Sequence, residues 1–257
     1  MEFLTSDGVS LFYQEYGNQG PIMLCLPGLA ASDSLWQEFC QSMPDWHIFV
    51  LQARNQGRSE RTYRGQRISR HAKDVYEFLE AKGLHDVLGV GNSMGAATLF
   101  SYLSLFGSGQ FKAVVDLDQS PKMINDHNWR FGFKDLRMDN FFEYLKAPID
   151  HPTYHGVSEE LRHLAQEDYQ ENPYEPQENY PFLLDHAMQD WRDVVVDLKI
   201  PLLVVTGKNS PYFDYHFGDA LVEMNSLVKH VNVNECGHVI QAEKPQELAK
   251  IINSFAK

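Results

Sequence analysis

The sequence predicts an α/β protein built on a mostly parallel, doubly wound sheet. Two observations point there. Short continuous apolar runs, of the kind that fill strands buried on both faces, alternate with longer segments whose apolar residues recur at helical spacing. That alternation is interrupted once, by residues 119–198, and then resumes, as expected of a single domain carrying an insertion.

The chain opens on a hairpin: Glu2–Thr5, a Ser6-Asp7-Gly8 turn, then Val9–Tyr16. Ile22–Leu26 is apolar throughout and stops at Pro27-Gly28, so it reads as a buried strand. Asp33 or Ser34 starts a helix carrying Leu35, Trp36 and Phe39, and His47–Leu51 is the next strand. In Ile68–Lys82 the residues Ala72, Val75, Phe78 and Leu79 share one helix face, and Gly83 ends it. Asp86–Gly91 (strand), Ser93–Phe106 (helix) and Phe111–Asp118 (strand) follow. After Pro201 come a strand over Leu202–Thr206, a helix over Asp214–Asn225, a strand over Val228–Val233 and a closing helix, Pro245–Phe255. Residues 1–118 and 199–257 therefore form the core. Residues 119–198 read as helices only: Trp129, Phe133 and Leu136, then Phe141 and Leu145, then Leu161 and Leu164, then Phe182 and Leu183. The polar, Pro-rich run from Glu171 to Pro181 reads as a loop between them, at the edge of a lid.

Composition narrows the function. The 257 residues carry a formal charge of −13, so phosphate backbones and anionic lipid surfaces are disfavoured as partners. No apolar run reaches the ~20 residues of a membrane span, and no export signal is expected from the first residues. Cys25, Cys40 and Cys236 are odd in number and lack metal-type spacing, which fits a reducing, cytoplasmic setting. His151 and His155 are four apart, but Pro152 and Gly156 argue against a metal-binding helix, so no metal or other cofactor is expected. A homo-oligomer is neither indicated nor excluded.

The chemistry is carried first by Gly91-Asn92-Ser93-Met94-Gly95, a G-x-S-x-G pattern. It sits where an apolar strand turns into a helix. A serine there occupies a sharp, strained turn that lifts its hydroxyl above the sheet, at a helix N-terminus that favours negative charge. Ser93 is thus the candidate nucleophile. With Leu26-Pro27-Gly28-Leu29, Arg54-x-x-Gly57-Arg58-Ser59 and Gly237-His238, the chain resembles the α/β-hydrolase superfamily over nearly its whole length. It departs from the family in having Pro27 before Gly28 where His is usual, and Gln52 and Asn55 where Asp and Gly are usual. The resemblance implies His238 as general base, and backbone N–H groups of Leu29 and Met94 as oxyanion donors. It also implies a serine-dependent ester hydrolase of the esterase, lipase or cofactor-free haloperoxidase type.

The third member of the triad departs from the pattern. The family's commonest position for the acid falls in Gly207-Lys208-Asn209-Ser210, where Ser210 replaces the carboxylate. Some members place the acid one strand earlier, and there the chain offers Asp116 and Asp118. Both point to one side of a strand, and Asp118 is nearer its C-terminal end, where the site must lie. Asp118 is the first choice. Asp116 and Asp214 remain alternatives, Asp214 also reading as a helix cap. The insertion carries net −9 of the −13 and 12 of the 32 aromatic residues, with Trp129 the candidate pocket wall. The expected substrate is a small, largely apolar carboxylic ester. Thioesterase, lactonase, acyltransferase and perhydrolase activities share the same machinery, and a non-catalytic ligand-binding role is the rival of another class.

Overall fold

A computed structural model of the chain describes residues 1–146 and 151–256. Residues 147–150, inside the expected insertion, lie outside the described residues. In chain order the elements are β1 (Glu2–Leu4), β2 (Ser10–Tyr16), β3 (Ile22–Leu26), a 3₁₀ turn (Asp33–Trp36) running into α1 (Gln37–Gln41), β4 (His47–Leu51) and α2 (Ile68–Lys82). Then follow β5 (Val87–Asn92), α3 (Met94–Phe106) and β6 (Phe111–Leu117). Residues 119–198, the expected insertion, contribute α4 (Phe141–Tyr144), α5 (Glu159–Glu171), α6 (Pro176–Ala187) and α7 (Arg192–Asp197) among the described residues. The chain closes with β7 (Leu202–Gly207), α8 (Phe217–Met224), β8 (Val228–Val233), α9 (Ile240–Glu243) and α10 (Pro245–Phe255).

The strands form one sheet in the order β1-β2-β4-β3-β5-β6-β7-β8. The N-terminal hairpin is antiparallel, as is the β2–β4 pair. Every other pair, from β3–β4 to β7–β8, is parallel. Alternate residues of each strand go to opposite faces. Leu24, Leu26, Val87, Val114 and Val204 pack with Val75 and Phe78 of α2, Leu99 and Phe100 of α3, and Leu221 of α8. Met23, Cys25, Leu88, Val90, Val115 and Val205 pack on the other side with Phe39 of α1, Ile240 of α9, and Leu248 and Ile252 of α10. Burial on both faces is why these strands are apolar without interruption.

The insertion differs from its expected form in two places. Trp129 to Leu136 is irregular, not helical. Asn125 ties it into a loop, donating from Nδ2 to the carbonyls of Lys134 (2.9 Å) and Leu136 (3.1 Å) and accepting from Gly132 N–H (2.9 Å). Asp126 Oδ1 accepts from the N–H groups of Asn128 and Trp129, at 2.8 and 3.0 Å. Such side-chain bonds offer the backbone an alternative to the helix, and they win over the apolar spacing. In the Glu171–Pro181 run, loop is confined to Asn172–Glu175, because Pro176 starts α6. A proline at the first helical position costs nothing, since its missing N–H would have had no acceptor there.

Candidate active site

Ser93 lies between β5 and α3 with φ 54° and ψ −121°, a conformation a non-glycine residue holds only when its surroundings enforce it. The enforcement is close packing. A Cβ on Gly91 would sit 2.3 Å from the Ala96 nitrogen, and one on Gly95 would sit 2.0 Å from the Leu26 carbonyl oxygen. Glycines at these two positions let the turn press against β3 and α3. Ser93 keeps part of its surface exposed while Asn92 and Met94 beside it are buried. As the first residue of α3, Met94 has an N–H with no intrahelical acceptor. Gly28 packs against the same turn: a Cβ there would lie 3.2 Å from the Ser93 Cβ. Leu29 follows it in a turn closed by Ala31 N–H to the Gly28 carbonyl, 3.3 Å.

Two further groups come to this end of the sheet. Asp118 follows β6 with φ 58°, and its N–H donates to the Val205 carbonyl on β7 (2.9 Å). Its side chain is fully buried. Oδ1 accepts from Gly207 N–H at 3.1 Å, and Oδ2 lies 2.7 Å from His238 Nδ1. His238, in the loop after β8, is 5 % exposed. Tyr212 meets its ring edge-on at 4.7 Å between centroids, and Phe213 lies at 6.0 Å. Its N–H donates to the Pro152 carbonyl (2.7 Å), a contact from the insertion.

The two alternative carboxylates are elsewhere. Asp116 is buried one pleat deeper, where its Oδ1 accepts from Gln119 N–H at 3.0 Å. Burial, with the Asp118 charge adding to it, raises its carboxyl well above the usual range. Asp214 is exposed and bonds His216 Nδ1 at 2.6 Å. Trp129 is 4 % exposed and packs in the interior with Val195, Leu198, Tyr212 and Phe213. Its indole N–H donates to Ser120 Oγ (3.1 Å) and the Lys122 carbonyl (3.2 Å).

Two polar groups around the site, buried Asn92 and half-buried Glu243, had no distinct signal in the sequence. Asn92 Nδ2 donates to the carbonyls of Leu117 (3.1 Å) and His238 (3.0 Å), joining the ends of three strands. Glu243 accepts from Gly237 N–H (2.9 Å) and from Tyr154 N–H (2.9 Å), holding the insertion to the histidine loop. Asn92 occupies a variable position of the G-x-S-x-G pattern, and that position was the one hint available.

A family model described as alpha/beta hydrolase fold matches residues 21–245. The chain belongs to the α/β-hydrolase family. An α/β hydrolase from Exiguobacterium antarcticum, described as an esterase, superposes with a TM-score of 0.85 at 16 % identity, covering 99 % of this chain and 98 % of that one. A bromoperoxidase from Bacillus anthracis superposes with a TM-score of 0.84 at 17 % identity, covering 97 % and 96 %. In sequence, the chain is 27 % identical over 149 residues to a non-heme chloroperoxidase from Kitasatospora aureofaciens. That match spans 56 % of this α/β hydrolase and 52 % of the relative, about half its length.

Proposed function

We propose that this α/β hydrolase cleaves carboxylic esters of small, largely apolar substrates through an acyl-enzyme on Ser93. The observation that carries the reading is the 2.7 Å contact between His238 Nδ1 and Asp118 Oδ2, at the sheet end where Ser93 stands in its strained turn. A buried carboxylate on Nδ1 keeps the proton there, leaving Nε2 unprotonated to act as base. Ser93 Oγ attacks the ester carbonyl carbon while Nε2 takes its proton. The carbonyl π pair moves to oxygen, and the N–H groups of Leu29 and Met94 hold the oxyanion. Collapse breaks the bond to the leaving oxygen, which takes the proton from Nε2 and departs as alcohol. Water then attacks the acyl-enzyme by the same route, releasing the acid and restoring Ser93.

Residues 119–198 serve in this reading as a cap over the site. A small cleft of about 60 Å³ lies between the turn after Leu29, the Asn55–Gly57 loop and α5, and Ser93, Asp118 and His238 are not among the residues that line it. All three cysteines are buried and free, which supports a cytoplasmic setting, and no described helix is long and apolar enough to cross a membrane.

The test is turnover of short p-nitrophenyl esters, with fluorophosphonate labelling of Ser93. Wild type should react by both measures, and Ser93→Ala by neither. Turnover retained by Ser93→Ala sinks the mechanism, and an unreactive Ser93 in folded wild type points to a binding protein instead. The chloroperoxidase relative favours one second reading, in which hydrogen peroxide replaces water on the acyl-enzyme and yields a peracid. Peracid formation with acetate and peroxide, absent from Ser93→Ala, would establish it.

A further inference from the structure

The turn after β3 that carries Leu29 is linked to the insertion by two buried carboxamides. Ala30 in this turn has φ 59°, and Ala31 N–H bonds back to the Gly28 carbonyl at 3.3 Å. A closed four-residue turn with positive φ only at its third residue is a type II turn, which ordinarily puts glycine there. With alanine in that place the turn needs outside support. The support is Gln56, whose Oε1 accepts from Ala30 N–H at 2.8 Å, fixing the central peptide of the turn. The other end of the same carboxamide reaches the insertion: Gln56 Nε2 donates to Asn179 Oδ1 of α6 at 2.8 Å. Asn179 in turn donates from Nδ2 to the Glu175 carbonyl at 3.0 Å, at the start of its own helix. Gln56 is 2 % exposed and Asn179 is 1 % exposed. Each carboxamide has its donor and acceptor ends used by different partners, so neither can rotate or shift without leaving a buried polar group unpaired.

We infer that Gln56 and Asn179 form a relay that positions the oxyanion turn from the insertion, so that the seating of α6 sets the rate of the chemical step. The inference rests on the proposed role of the Leu29 N–H. It assigns α6 a task beyond covering the site. Both are positioning residues, with neither touching the reacting atoms. α6 has other anchors to the core: Asp185 Oδ2 accepts from Ile68 N–H at 2.8 Å, and Phe182 stacks on His71 at 4.3 Å. The helix therefore stays docked when the relay is cut, and the effect of the relay can be read separately from loss of the insertion.

The experiment compares Gln56→Met, Asn179→Leu and the double variant with wild type in p-nitrophenyl ester hydrolysis. Rates are expressed per active site titrated with fluorophosphonate, so misfolded protein does not count. The relay predicts that each single variant loses about tenfold in kcat with KM unchanged within about twofold. It also predicts that the double variant is no slower than Gln56→Met alone, because cutting one chain twice does no further harm. Should Asn179→Leu fail to fold, Asn179→Ala is read in the same way. Unchanged kcat per titrated site overturns the inference, as does a rise in KM at constant kcat, or losses that multiply in the double variant. Wild type that neither turns over ester nor labels at Ser93 overturns the underlying reading and the inference with it.

Discussion

Replacing Asp118 by Asn separates it from its neighbour Asp116 on β6 and tests the proposed mechanism. The substitution keeps size and removes one acceptor. Asp118 now accepts twice, from Gly207 N–H at 3.1 Å and at His238 Nδ1 at 2.7 Å. An asparagine has a single carbonyl oxygen. If that oxygen stays on the Gly207 N–H, the Nδ2–H₂ group faces His238 Nδ1, which must then be the acceptor. The ring proton moves to Nε2, and in the proposed mechanism the imidazole can no longer take the Ser93 proton. Nor is there a carboxylate left to stabilise the imidazolium. Losing both is worth ~10⁴ in kcat for a triad acid, or about 5.5 kcal/mol of activation free energy. The fold should survive, since the Gly207 bond and the side-chain volume are kept. Asp116→Asn is the control. Asp116 accepts from Gln119 N–H while Asp118 is the carboxylate that meets His238, so kcat of Asp116→Asn should stay within about threefold of wild type. The assay is p-nitrophenyl ester turnover, with circular dichroism to verify folding. Asp118→Asn within tenfold of wild type, or an equal loss in Asp116→Asn, would refute the reasoning.

Three more outcomes follow from named contacts. His71 and His186 both stack with Phe182, at 4.3 and 6.0 Å between ring centroids, and burial lowers their imidazolium pKa values to about 3 and about 4. The unfolded chain binds these protons first as pH falls below ~6.5, so stability is full above that value and drops toward pH 4, by about 2 kcal/mol per histidine between pH 7 and pH 5. Urea midpoints should fall accordingly and fall less in His186→Phe; equal losses in both proteins would count against this source. Arg54, fully buried, grips both oxygens of Asp74 at 2.7 and 2.8 Å, and Arg70 also donates to that carboxylate at 2.9 Å; Arg54→Met leaves Arg70 as the remaining partner and should cost about 1.5–3 kcal/mol in urea unfolding. In Gly207→Ala the new Cβ would lie 1.8 Å from the Gly237 carbonyl oxygen, pushing the His238 loop outward. A displacement of that size should cost about 10²-fold in kcat, and near-normal turnover would show that the loop has room to adjust.

The fold was legible because parallel strands buried on both faces are written as unbroken apolar runs, and β3, β5 and β7 are such runs. The strained turn at Ser93 was legible because it demands small neighbours at fixed offsets, and Gly91 and Gly95 supply them. The stretch from Trp129 to Leu136 misled because apolar spacing carries no record of side chains that bind backbone, and Asn125 and Asp126 do so five times between them. The buried amides Asn92, Gln56 and Asn179 were illegible for a related reason. The bonds that tie them across the molecule span 25 to 146 residues, so no local pattern marks them.

In the proposed mechanism Asp118 does the work of an acid at the position where Ser210 stands, and the sheet shows how it reaches that place. β6 and β7 are adjacent, and the Asp118 carboxylate sits against the Gly207 N–H, at the base of the turn where the family's commoner acid would stand. The Asp118 carboxylate thus spans from the β7 end to the His238 ring nitrogen. The vacated turn has been put to other use. Ser210 Oγ accepts from Tyr212 N–H at 3.3 Å, and the turn sets the Tyr212 and Phe213 rings against His238. Two aromatic rings exclude water from the imidazole and lower the local dielectric, which strengthens the pull of Asp118 on the Nδ1 proton. What the turn lost in charge it returns as apolar shielding of the charge next door.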